Sequence, residues 1–145
     1  MLKFNLFIHH DSGDNGIFFK QSIERINPAI KIELFLDFTS FEVYLKKPYD
    51  FKNNEVFILF ADSIERLNRL YTFINFFEGK RLLLVAPDER SETTSKVLKF
   101  WPRFFTYIRD NYEDFCSVIK KIAIKEEIIP LQRSIEIKQT GKFNP

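Results

Sequence analysis

Two short apolar runs constrain the fold of this chain more than any other feature. Residues 56–61 (VFILFA) and 82–86 (LLLVA) show no polar alternation and are too short for helices. A strand reads this way when both of its faces are covered. Sheets covered on both faces are parallel sheets with helices on each side, because parallel neighbours can be joined only through a crossover.

The rest of the chain supplies partners for that arrangement. Residues 2–8 (LKFNLFI) predict a first strand, followed by a polar loop over 11–16. Phe19, Ile23 and Ile26 recur at helical spacing, and Pro28 closes that helix. Ile30, Ile32, Leu34 and Leu36 alternate with Lys31, Glu33 and Phe35, a strand with one wetter face, suited to a sheet edge. Thr39 with Glu42 has the spacing of a capping box for a short helix, and Asp62 with Glu65 that of a second. The helix after Asp62 carries Ile64, Leu67, Leu70, Ile74 and Phe77 on one stripe, with Gly79 placed to end it. A weaker helix over 88–101 stops at Pro102. Residues 104–108 predict a fifth strand, and Asp110 with Glu113 a cap for a last helix. Five strands alternating with five helices predict a doubly wound parallel sheet of order 2-1-3-4-5, a flavodoxin-like three-layer sandwich over residues 1–129. The tail over 130–145 falls outside this scheme and reads as an extra strand or a docking arm.

Composition narrows the function classes. The chain has 145 residues, enough for a core without disulfides or metals, and a formal charge of +2, too small to argue for nucleic acid. Cys116 is the single cysteine, so no disulfide framework is available. No apolar run reaches membrane-spanning length and the opening residues lack a signal-peptide layout, so the expectation is a soluble cytoplasmic protein. Phe is in surplus, with 18 copies. A sheet of this size can hide only so many rings, and the excess predicts some at a protein contact.

In a doubly wound sheet, chemistry belongs outside the carboxyl ends of the strands. Those positions hold His9, His10, Asp11 and Asp14, then Asp62 and Ser63, Pro87 and Asp88, and Arg109 and Asp110. Over residues 2–127, and most closely over LLLVAPDERSETTSKVLKFWPRFFTYIRDNYEDFCSVIKKI, the chain resembles response-regulator receiver domains. That resemblance implies an acidic pair after strand one, a phosphoacceptor Asp ending strand three, a hydroxyl residue after strand four and a Lys after strand five. Here His9 and His10 stand at the acidic pair, with Asp11 just beyond. Leu59 or Phe60 holds the acceptor position, with Asp62 the nearest carboxylate. Ala86 replaces the hydroxyl, Arg109 the Lys, and Asp110 the Pro that follows it. Imidazole and phenyl groups do not offer Mg²⁺ the hard oxygen ligands it requires. The fold is therefore implied and the phosphorylation chemistry is not. The opening FNLFIHHDSGDNGIFFKQSIERI also resembles TIR domains. The helix expected to carry their NAD-cleaving Glu offers only Glu65, too early, and Glu78, too late, so assembly rather than NAD cleavage is what that resemblance implies.

Plainer accounts stand beside the sharper ones. His9, His10 and Asp11 are a possible metal set, but adjacent residues at a strand end point apart, and a solvated loop explains them better. Asp62 reads better as a helix cap than as an acceptor. Cys116 reads as a buried thiol. The glycines at 13 and 16 lie beside two carboxylates, which makes a turn a better account than a phosphate loop. The expectation is a non-enzymatic, pseudo-receiver signalling module without metal or cofactor that binds neither nucleic acid nor membrane. It acts on a protein partner, or on a second copy, through the face of helix four, strand five and helix five. Phe100, Trp101, Arg103, Tyr107 and Tyr112 are the expected contacts. Alternatives are a receiver phosphorylated on an unorthodox Asp or His, and a TIR-like assembly domain.

Overall fold

The computed structural model describes residues 2–27, 29–48 and 54–125. Pro28 and the tail over 130–145 lie outside the described residues. Five strands, β1 (Leu2–Ile8), β2 (Ile32–Phe35), β3 (Asn54–Phe60), β4 (Arg81–Ala86) and β5 (Phe104–Tyr107), form one sheet of order β2-β1-β3-β4-β5. All four pairings are parallel. Five helices alternate with them: α1 (Gly13–Glu24), α2 (Phe38–Leu45), α3 (Ile64–Tyr71), α4 (Ser91–Leu98) and α5 (Glu113–Lys125). This is the flavodoxin-like α/β fold that the alternation predicts. Among the described residues, no helix is long and apolar enough to cross a membrane.

The two unalternating runs occupy the middle of the sheet, and every residue from Val56 to Ala61 and from Leu82 to Ala86 is buried. Alternate side chains feed two cores. Phe4, Ile58, Phe60 and Val85 pack with α1 and α5, while Phe7, Phe57, Leu59 and Leu84 pack with α2, α3 and α4. β2 lies at an edge, as its wetter face predicts, with its register fixed by Phe4 opposite Ile32 and Leu6 opposite Leu34. Most of the surplus phenylalanines line these cores. Phe41, for example, stands among Phe7, Phe35 and Phe57 with ring centroids 5.1 to 6.2 Å apart.

Helix starts depart from the predicted caps by one or two residues. Asp37, not Thr39, caps α2: its backbone is extended and its carboxylate accepts the Ser40 N–H at 2.7 Å. Ser63, not Asp62, caps α3, accepting the Arg66 N–H at 3.1 Å. Asn111, not Asp110, accepts the Glu113 N–H at 3.0 Å ahead of α5. In each case a second short polar residue stood within two positions of the predicted one, and spacing alone does not choose between them. The loop after β1 is also shorter than predicted, since α1 begins at Gly13. Gly16 lies inside that helix, where a Cβ would stand 2.8 Å from the Ser12 Cβ and 2.9 Å from an Ile8 methyl. Glycine is what lets α1 approach β1 so closely. The stripe after Asp62 is broken as well: α3 ends at Tyr71, and a 3-10 turn, Ile74–Phe77, precedes Gly79 at φ +77.

Candidate functional site

At the carboxyl end of the sheet, the residues in the receiver positions form an internally satisfied cluster. β1 ends at Ile8, and the next residues turn back, with the Ser12 N–H donating to the His9 carbonyl at 3.0 Å. The turn brings the His9 and His10 rings to 4.3 Å between centroids, where the strand rule had them pointing apart. His9 Nδ1 lies 2.7 Å from the Asp11 carboxylate. The Arg66 guanidinium bridges that carboxylate and Asp62, the latter at 2.8 Å. Lost solvation would push the Asp11 carboxyl up, but the hydrogen bond with His9 and the charge of Arg66 outweigh it and hold the group below its ordinary value. Asp62 is thus neither the helix cap nor a free carboxylate. Ser63 takes the cap and Arg66 takes Asp62.

The other positions offer less. Leu59 and Phe60 are fully buried in opposite cores, with Phe60 stacked on Phe19 at 5.1 Å. Ala86 is fully buried, and Arg109 is exposed beyond β5. Past β4, the Arg90 side chain holds the Asp88 carboxyl down to about 2. Among the described residues, no group of three His, Cys, Asp or Glu is placed to hold a metal ion. Cys116 is half-buried with its thiol 3.6 Å from the Ser22 carbonyl, and burial pushes that thiol up. Arg66 organises this end of the sheet and was not among the predicted site residues. Its spacing from Asp62 signals the i,i+4 pair, but its reach to Asp11 depends on the topology.

The predicted contact face divides. Phe100 belongs to the core beneath α4, its ring 5.2 Å from Tyr71. Tyr112 is 1% exposed, packs edge-on against Phe19 at 4.8 Å and donates its hydroxyl to the Ile108 carbonyl at 2.9 Å. These two rings are therefore core residues and present no surface. Tyr107 is half-buried, its hydroxyl 3.4 Å from Thr94 on α4. Trp101 and Arg103 are exposed, Trp101 at 88%. Trp101 precedes β5 and Tyr107 ends it, so the strand's length of roughly 10 Å separates the two. Trp101 also holds φ +54. The residue before a proline prefers extended backbone with φ near about −120°, so this indole stands in water on a strained main chain.

Burial, with the Asp110 charge beside it, pushes the Tyr112 hydroxyl up to about 12. A tyrosine whose folded pKa exceeds the ordinary value of about 10 adds stability that is whole below pH ~10 and is lost as pH rises through ~12. Ultraviolet titration of tyrosinate should show a last step near pH 12 that disappears in Tyr112→Phe. Loss of no such step would mean that the ring meets solvent. Compared with family models, with curated proteins and with solved structures, the chain matches none.

Proposed function

We propose that this chain is a receiver-like signalling module that carries no phosphate, catalyses no reaction and works by contact with a protein through the surface around Trp101. The observation that carries the reading is Trp101 itself. An indole 88% exposed at positive φ loses burial and backbone ease together. Strain of this kind gathers where a contact uses it, and tryptophan is the residue most often found anchoring contacts. The carboxyl end of the sheet supports the other half of the reading. Phe60 and Ala86 replace acceptor and hydroxyl, and the nearby carboxylates Asp11 and Asp62 are already committed to Arg66.

The test is incubation with acetyl phosphate and Mg²⁺ followed by intact mass. The expected outcome is an unchanged mass. A stoichiometric adduct that vanishes in Asp62→Asn would establish the unorthodox acceptor instead.

A further inference from the structure

We infer that the groove beside Trp101 takes an acidic segment bearing an apolar anchor, not a second copy of this chain; the inference rests on reading that face as a docking surface. The groove, of about 620 Å³, is lined by Tyr71, Ser95, Leu98, Lys99, Trp101 and Pro102. Leu98 is 54% exposed, so the apolar part of the groove lies open. The one charge in its lining is Lys99, with further cations at its margin; the adjoining cleft, which shares Lys99 and Trp101, also holds Glu78. Lys99 forms part of the wall, the Lys96 ammonium lies 5.0 Å from the Tyr71 ring, and exposed Arg103 follows Pro102. No carboxylate lines the groove. Neither Lys99 nor Arg103 has an ion-pair partner among the described residues.

This charge pattern decides between the occupants. A two-fold contact sets the patch against a copy of itself, so its excess of cations over the single Glu78 meets the same excess. Like charges across a contact oppose association, whereas an acidic partner is drawn in and oriented by them. The apolar lining needs something to cover it, which calls for a leucine- or phenylalanine-sized anchor between the acidic residues.

Selection of a random peptide-display library on the full chain tests this. Trp101 is the single tryptophan of the sequence, so its emission reports each selected peptide directly. The expected pool places Asp and Glu around Leu, Ile or Phe, and its members shift the emission to the blue. Their affinity, read by calorimetry because this variant has no tryptophan, falls about 30-fold in Trp101→Gly. It falls at least about 10-fold in the double variant Lys99→Glu, Arg103→Glu and weakens steeply with salt. Trp101→Gly keeps its fold, because glycine accepts the positive φ that the indole strains to hold; circular dichroism and the thermal midpoint verify this. Peptides that require Trp101 but are neutral or basic would overturn the acidic partner and leave the docking surface standing. A dimer in light scattering that Trp101→Gly dissolves would do the same in favour of a second copy. Peptides indifferent to Trp101→Gly would overturn both readings, as would an emission shift produced by oligo(dT) or by phosphatidylserine vesicles but by no peptide.

Discussion

Phe60→Asp is expected to unfold the chain, not to equip it for phosphorylation. The change places a carboxylate at the end of β3, where the receiver comparison asks for one. Phe60, however, is fully buried between β1 and β4, opposite Ile8 and Val85, with its ring stacked on Phe19. Truncating a buried phenylalanine to alanine costs about 3–5 kcal/mol, a large share of the roughly 5–15 kcal/mol that holds a domain together. A carboxylate in the same place adds desolvation with no partner among the surrounding hydrocarbon side chains, and the combined cost exceeds what the fold can absorb. Chemical denaturation followed by circular dichroism should give Phe60→Ala a midpoint far below the parent and Phe60→Asp no cooperative transition. A folded Phe60→Asp with a near-parental midpoint would mean that residue 60 faces solvent. Phe60 is thus built into the core around α1, and a carboxylate cannot take its place without loss of the fold.

The sequence carried the sheet because its signal there is redundant. Two runs without alternation, a half-wet strand and five helical patterns between them leave few topologies, and 2-1-3-4-5 is the one observed. Local choices between neighbours were not carried. Asp37 and Ser63 cap helices where Thr39 and Asp62 had the better spacing, and Asn111 rather than Asp110 meets the first N–H of α5. A cap is decided by which residue the backbone leaves extended, and that depends on how the preceding strand ends.

The candidate site was legible in the same uneven way. The residue types at the strand ends follow from topology, so the apolar side chains at 59 and 60 could be read directly. The Asp11–Arg66 contact joins residues 55 apart and appears only once β1 and β3 lie side by side. At the other end of the sheet, Phe100 and Trp101 are adjacent and both were expected at a contact, yet Phe100 enters the core and only Trp101 faces water. Tyr112 was misread because Asp110, Asn111 and Glu113 make its surroundings look like surface. Its φ of +66 turns the ring inward against Phe19, a backbone state that sequence pattern does not announce for tyrosine.

Asn5→Leu is expected to raise stability by about 1–3 kcal/mol, which moves the thermal midpoint up by several degrees. Asn5 sits in the middle of β1, fully buried, opposite Glu33 on one side and Phe57 on the other. Its polar neighbours on the same face satisfy one another. Lys3 pairs with Glu33 at 2.9 Å and with Glu55 at 3.8 Å, and the Tyr44 hydroxyl donates to Glu55. Neither the oxygen nor the nitrogen of the Asn5 amide meets a hydrogen-bond partner. An amide removed from water without replacement bonds opposes folding, while leucine has the same number and branching of heavy atoms and would join the cluster around Phe7 and Phe57. Leucine's methyls are bulkier than the amide, and overpacking could offset part of the gain. Asn5→Val, smaller and better suited to a strand, separates the two effects. Thermal and urea unfolding of both variants are the measurement. If both lose stability, the amide is bonded in the folded chain and the gain assigned to its removal does not exist. If valine stabilises and leucine does not, the amide was unsatisfied and only the room around it was misjudged.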